Sequence, residues 1–298
     1  MKMQLQSLNA QRSQLPAVAT VGTFDGVHLG HRFLIRQVMA EAEQRGMSSM
    51  VITFDRHPAT LFGYDKPLLT TTEEKLQLIR ATGIDKLAVL AFDEGLARLT
   101  AGEFMQQLQS QLQVRAIVVG FNNHFGSDRR QVSPESAPEG LDIIAAEAFQ
   151  ADGLDISSTA IRNDLLQGDV EQASQRLGRP YSLSGRVVHG QHIGTQLGFP
   201  TANLDVDKGR LIPKAGVYAV RAGEHGGILN IGTRPTFNGH ETTLEVHLVD
   251  FEGDLYGRLL TIEFIRRLRD ERQFPSAEEL ARQLQRDKVE SIQILKQL

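Results

Sequence analysis

An α/β domain followed by a β-rich one is the fold class that this sequence predicts, and three observations carry the prediction. In the first half, short apolar runs alternate with stretches of helical period. In the second half, short β-branched runs are separated by Gly, Pro or Asn. Between the halves, Gly178 suits a helix C-cap and Pro180 cannot continue a helix, so the chain divides into residues 1–180 and 181–298.

The elements follow in order. Strands are expected at 17–21, 50–54, 86–90, 116–119 and 141–145, with helices at 33–45, 72–81 and 102–112. In the last of these helices Phe104, Leu108 and Leu112 recur every fourth residue and so share one face. Buried strands alternating with amphipathic helices imply a mostly parallel sheet covered on both faces. Two shorter helices, 158–167 and 169–176, lead to the boundary. Beyond it, strands at 184–189, 216–221, 227–231, 243–249 and 259–264 imply an antiparallel sheet or small barrel. A last helix starts near Ser276, an N-cap with Glu279 three residues on, and turns Leu280 and Leu284 inward.

Composition narrows the function classes. Apolar residues at 41% and charged residues at 23% supply two cores and exclude a disordered chain. A net charge of −4, with Lys and Arg dispersed, argues against nucleic acid as a partner. The absence of Trp leaves little for a base-stacking platform. Without Cys there is no disulfide or thiolate metal site. Residues 1–14 lack the apolar core of a signal peptide. Apolar runs such as 87–92 fall far short of the ~18 residues of a membrane span. A soluble, cytoplasmic protein with no membrane partner is expected.

Two motifs stand in the first half. Gly22-Thr23-Phe24-Asp25-Gly26-Val27-His28-Leu29-Gly30-His31 joins the first strand to the first helix. Loops at the carboxyl ends of parallel strands bind ligands, and a helix start offers unpaired N–H groups to a phosphate. His28 and His31 add donors, and no third ligand at metal-site spacing accompanies them. The second motif, Ile156-Ser157-Ser158-Thr159-Ala160-Ile161-Arg162, opens a helix with three hydroxyls and a cation. Such a start serves either as a simple cap or as a phosphate donor set.

The second half carries a denser set. Gly190, Gly194 and Gly198 repeat every four residues before Phe199-Pro200-Thr201-Ala202-Asn203-Leu204. Glycines at that interval let backbone N–H groups approach phosphate oxygens. In an extended chain Thr201 and Asn203 share a face, and their oxygens suit Mg²⁺ bound beside phosphates. In Leu244-Glu245-Val246-His247-Leu248 the apolar residues alternate with a carboxylate and an imidazole, so Glu245 lies on the polar face. A carboxylate on a rigid strand can accept a proton from a substrate hydroxyl. Taken alone, a solvent-facing Glu is the better explanation of this pattern.

Together with Thr53-Phe54-Asp55-Arg56-His57-Pro58, the first-half motifs resemble the nucleotidyltransferase superfamily, and within it the adenylyltransferase module of the bacterial bifunctional riboflavin kinase/FAD synthetases. The second half resembles their kinase domain. It carries in order the glycine and Thr201–Asn203 run, Gly232-Thr233-Arg234-Pro235-Thr236, Glu245-Val246-His247, Asp254-Leu255-Tyr256-Gly257 and Leu268-Arg269-Asp270-Glu271-Arg272-Gln273-Phe274. The resemblance implies a Rossmann-like nucleotidyltransferase domain with a parallel sheet. A six-stranded antiparallel β-barrel with a C-terminal helix would follow. The implied function is phosphorylation of riboflavin to FMN, then adenylylation of FMN to FAD and pyrophosphate. ATP would be co-substrate, FMN the intermediate and Mg²⁺ the cofactor.

Site residues follow from the same resemblance. Gly22, Phe24, Asp25, Gly30, Asn122, Ser158, Thr159 and Arg162 would contact ATP with the catalytic His28 and His31, and His57 would lie near the reacting phosphates. In the kinase, Gly190, Gly194, Gly198 and Thr201 would hold ATP, and Thr201 and Asn203 the metal. Glu245 would be the general base for the ribityl 5′-hydroxyl, and Arg269 and Glu271 would line the flavin site. The first module departs from its family at Asn123 and His124, and at Asp155 where a basic residue is common. A kinase with a slow adenylyltransferase, or a non-catalytic flavin-binding protein, are the alternatives. Retention of Thr201, Asn203 and Glu245 counts against the second.

Overall fold

The computed structural model describes residues 1–64, 66–120, 124–128, 130–147, 149, 155–189, 199–236 and 239–297. The expected ATP contacts Asn122, Gly190, Gly194 and Gly198 lie outside the described residues. Contacts divide the chain into two compact units, Met1–Ile156 and Ser157–Leu298.

The strands of the first unit are β1 (Met3–Ser7), β2 (Ala17–Val21), β3 (Ser48–Phe54), β4 (Lys86–Leu90), β5 (Val114–Val119), β6 (His124–Phe125), β7 (Arg130–Gln131) and β8 (Asp142–Ala145). One sheet runs in the order β1-β4-β3-β2-β5-β8, parallel throughout except for β1 on its edge, while β6 and β7 pair separately. Helices α1 (Leu29–Gln44), α2 (Pro58–Leu61), α3 (Thr72–Arg80), α4 (Glu94–Arg98) and α5 (Ala101–Leu112) fill the connections. Strand side chains alternate between two apolar layers. Ala17, Ala19, Met50 and Ile52 pack with Phe104 and Leu108 of α5. Val18, Val51 and Leu87 pack with Ile35 of α1 and Ile79 of α3 on the other face. Strand order reverses at β2, since β3 and β4 extend to one side and β5 and β8 to the other. Loops leaving β2 and β5 therefore splay apart and open a crevice at the carboxyl edge.

Two departures from the sequence reading have local causes. Helix α1 starts at Leu29 rather than at 33, because the His28 ring acts as its N-cap and accepts the His31 N–H at 3.3 Å. β1 was not expected, because it buries little and has only cross-strand pairing to β4 to hold it.

The second unit opens with α6 (Ser158–Gln167) and α7 (Val170–Leu177). A closed antiparallel barrel follows, built from β9 (Tyr181–Val188), β10 (Ala202–Val206), β11 (Gly216–Ala222), β12 (His225–Thr236), β13 (Gly239–Leu248) and β14 (Leu259–Arg269) in the order β10-β13-β12-β11-β14-β9. Its last element is α8 (Ala277–Leu295). The helix stripe that faces the barrel differs from the leucine pattern. Leu280 and Leu284 are half-buried, and the fully buried positions are Asp287, Ser291 and Ile294. Ser291 donates to the Gly227 carbonyl at 2.8 Å, so polar ties replace apolar contact at the centre of this interface.

Sequence placed the domain division at 180, whereas contacts group α6 and α7 with the barrel. Glu171 pairs with Arg266 of β14 at 2.9 Å, the Leu165 carbonyl accepts the Lys214 N–H at 3.0 Å, and Val170, Ala173 and Leu177 are buried. A fragment of residues 157–298 is therefore expected to be more stable than one of 181–298, by on the order of 3 kcal/mol from the lost apolar burial alone. Equal urea midpoints for the two fragments would show that the helices contribute nothing.

Candidate active sites

The loop after β2 is held from below. The Asp25 carboxylate, 4% exposed, accepts the Leu69 N–H at 3.0 Å and the Thr70 N–H at 3.1 Å. Thr70 Oγ1 in turn accepts the Gly26 N–H at 3.1 Å. Asp25 thus ties the loop to the segment before α3. Phe24 and Val27, both buried, hold left-handed φ of 50° and 40°, and Gly26 between them holds 83°. For a β-branched residue such as Val27 that conformation is strained.

His28 and His31 stack with ring centroids 3.6 Å apart. Because His28 Nδ1 accepts the His31 N–H, the proton of the neutral His28 ring is fixed on Nε2. The His31 pKa is lowered well below its usual value, first by burial and second by the neighbouring His28, so its ring is uncharged at neutral pH. A Cβ at position 30 would come within 3.3 Å of His28 Nδ1, so Gly30 lets the helix start lie against that ring. His57 repeats the device at the end of β3. Its Nδ1 accepts the Ala59 N–H at 3.1 Å and caps α2, again leaving Nε2 as the protonated nitrogen.

At the carboxyl edge lies a cavity of about 660 Å³, lined by Gly22, Phe54, Pro58, Phe62, Phe92 and Phe125 among others. Phe54 and Phe92 meet edge to face at 5.3 Å, and Phe104 and Phe125 at 5.8 Å. This aromatic cavity was not read from the sequence, because its walls come from five separate segments.

In the second unit Ser157 caps α6 by accepting the Ala160 N–H at 3.1 Å, so Ser158 and Thr159 fall in the first turn. Arg162 is buried, with Nη1 donating to the Ser158 carbonyl at 3.0 Å.

The barrel brings three of its polar side chains into one row. Asn203 of β10 pairs with Glu245 of β13, and Glu245 pairs with Asn230 of β12. All three are half-buried, on the face opposite the core residues Leu204, Val246 and Leu229. Directly opposed residues on neighbouring strands stand about 5 Å apart, so one small ligand can touch all three. Glu271 joins them from the β14–α8 connection. A Cβ on Gly232 would lie 2.6 Å from Glu271 Oε1 and 3.3 Å from Asn230 Nδ2, so the glycine leaves room for that carboxylate. The sequence gives Asn230 no role; its register with Glu245 is what singles it out.

Thr201 stands just before β10, beside a cavity of about 150 Å³ that Pro200, Phe251, Asp254 and Tyr256 also line. His247, two residues after Glu245, has its Nδ1 2.9 Å from the Pro200 carbonyl, which requires the proton on that nitrogen. Burial lowers the His247 pKa, and the hydrogen bond to Pro200 opposes that shift. The Arg269 guanidinium is engaged with Asp287, which is 1% exposed, through Nη2–Oδ2 at 2.8 Å and Nε–Oδ2 at 3.1 Å. Arg269 thereby fixes the end of β14 to α8, and its guanidinium lies 5.7 Å from the Phe274 ring centroid.

Comparison with known proteins decides the family. The FAD synthetase family model matches residues 10–160, and the riboflavin kinase family model matches residues 177–295. The bifunctional riboflavin kinase/FMN adenylyltransferase of Escherichia coli strain K12 is 39% identical over 292 residues, which cover 94% of this chain and 93% of that protein. The chain belongs to this bifunctional family. A relative of the same description from Bacillus subtilis strain 168 is 36% identical over 301 residues, covering 97% of this chain and 95% of that protein. A crystal structure described as a macrolide-efflux protein from Streptococcus pneumoniae shares the fold, with a TM-score of 0.83 at 30% identity over 93% of this chain and 95% of that one. Among the described residues here, no helix is long and apolar enough to cross a membrane. Both domains that define the family are present, so the chain is a bifunctional riboflavin kinase and FMN adenylyltransferase.

Proposed function

We propose that the barrel phosphorylates riboflavin at the row Asn203–Glu245–Asn230, and that the first unit adenylylates FMN at its aromatic cavity. The in-register row is the observation that carries the kinase assignment. Glu245 takes the proton of the ribityl 5′-hydroxyl while that oxygen attacks the γ-phosphorus of ATP and ADP leaves. Thr201 and Asn203 offer the hydroxyl and amide oxygens that would hold Mg²⁺. No cluster of three or more His, Cys, Asp or Glu that could cage a metal occurs among the described residues. That donor set fits a cation carried mainly by phosphates and water. When bound, Mg²⁺ would neutralise charge on the transferring phosphoryl group. Gly190, Gly194 and Gly198 are assigned to the ATP phosphates of the kinase, and Glu271, with Arg269 steadying its connection, to the flavin.

Adenylylation needs a different kind of site. The FMN phosphate is already ionised at neutral pH, so its oxygen attacks the α-phosphorus without a base, and pyrophosphate leaves. What the reaction requires is donors for the developing charge. His28 and His57 each hold an Nε2–H for that purpose, and His31 keeps the His28 ring in place. The isoalloxazine ring takes the aromatic cavity, while Gly22, Phe24, Gly30 and Asn122 are assigned to ATP. Asp25 serves that nucleotide through the loop it anchors. ATP as co-substrate puts both reactions in the cytoplasm.

A time course with riboflavin, ATP and Mg²⁺ is expected to show FMN rising first and FAD following. FAD without prior FMN, or neither product, would overturn the scheme. Ala97→Phe, which fills the aromatic cavity, is expected to raise KM for FMN about tenfold in adenylylation and to leave riboflavin phosphorylation unchanged. An unchanged KM would remove the flavin from that cavity.

A further inference from the structure

Lys75 of α3 is an ammonium in the interior that none of the motifs includes. It is 7% exposed, and its Nζ donates to the Phe54 carbonyl at 2.7 Å. One turn earlier Thr72 Oγ1 donates to the Asp55 carbonyl at 2.8 Å. The start of α3 therefore holds the last two carbonyls before the turn that carries Arg56 and His57. Just ahead of the helix, Leu69 and Thr70 hold Asp25 and Gly26 of the loop after β2. One short stretch of chain thus grips both loops that border the aromatic cavity. Phe54 and Pro58 wall that cavity from the first loop, and Gly22 and Thr23 from the second. Thr23, Asp25, Arg56, His57, Thr70 and Lys75 converge on a polar gap of about 20 Å³ beneath it.

We propose that Lys75 is a positioning residue for FMN adenylylation, holding the Phe54–His57 turn at a set distance from the loop after β2. The proposal rests on the assignment of the aromatic cavity to FMN. A buried ammonium is costly to desolvate, and an uncharged donor would satisfy the Phe54 carbonyl equally well. What the charge adds is attraction from both sides. Asp25 on one loop and Asp55 on the other each stabilise the ammonium. Burial is the larger influence and lowers the Lys75 pKa to about 8. The remaining titratable groups facing the gap are Arg56 and His57. As pH rises through about 8 the ammonium loses its charge and the two loops lose their common counter-ion.

The test uses the full chain with Lys75→Met and Lys75→Arg, assaying both activities in the same preparations from pH 6 to 10. Lys75→Met is expected to lower kcat/KM for FMN adenylylation about 10- to 100-fold at pH 7, as misplacement of reacting groups does. Riboflavin phosphorylation should stay within about twofold, since its residues lie in the other unit. Wild-type adenylylation should fall on an alkaline limb near pH 8. Lys75→Arg, charged throughout, should recover part of the rate and lack that limb. Wild-type kinetics in Lys75→Met, or the same limb in Lys75→Arg, would overturn the proposal. So would a parallel fall of both activities with a lowered melting temperature, which marks a purely structural residue. An unchanged KM for FMN in Ala97→Phe, beside an altered Lys75→Met, would instead fault the cavity assignment alone.

Discussion

Glu245→Gln is expected to lower riboflavin phosphorylation by about 10²–10⁴-fold, the usual cost of removing a general base. FMN adenylylation by the same preparation should be unchanged. The size of the effect follows from the strand. Glu245 is flanked by the core residues Leu244 and Val246, and it is registered against Asn203 and Asn230 on two neighbouring strands. Its carboxylate is therefore presented to substrate with little freedom to be replaced by a neighbour. Gln preserves shape and one hydrogen-bonding oxygen, so KM for riboflavin should hold while kcat collapses. Product chromatography from riboflavin, and separately from supplied FMN, reads both halves. A kcat near the wild-type value would remove Glu245 from the chemistry.

Asp287→Ala is expected to destabilise the barrel by about 3–5 kcal/mol, the cost of removing one partner of a buried ion pair. Asp287 is fully buried and takes the Arg269 guanidinium through both carboxylate oxygens, with Gln283 donating to Oδ1 at 2.7 Å. Deleting it leaves Arg269 uncompensated, with its side chain only 19% exposed. The Coulomb attraction lost is therefore much larger than for surface pairs such as Arg98–Glu94, where both side chains are over 70% exposed and an effect within about 1 kcal/mol is expected. Asp287→Asn keeps hydrogen bonds without charge and should fall between wild type and Ala. Urea unfolding of the 157–298 fragment measures all three; a shift under 1 kcal/mol for Asp287→Ala would show that Arg269 finds another anchor.

The parallel sheet was legible because its strands are buried on both faces, and runs such as Val18–Val21 and Leu87–Leu90 leave no other reading. The kinase motifs were legible for a related reason: Asn203 and Glu245 sit on strands, where period two assigns a face. Their meeting across β10, β13 and β12 depends on register, which one strand's sequence does not encode. The aromatic cavity was hidden because Phe54, Phe92 and Phe125 each look like ordinary core residues in their own segments. Lys75 and Asp287 were hidden because a charged residue within a polar helix stretch looks exposed. Only the packing of α3 and α8 shows that each faces inward.

The left-handed backbone at Phe24 and Val27 bears on the entropy of nucleotide binding. Each such residue costs about 1–3 kcal/mol of strain. Burying a Phe or Val side chain returns about 1.5–3 kcal/mol, so the two terms are of similar size and folding itself can hold the loop in shape. A loop of free glycines would instead freeze at every encounter with ATP and lose backbone freedom at about 1–2 kcal/mol per residue ordered. Here that ordering is completed once, when the chain folds, and each nucleotide that arrives meets a surface already set.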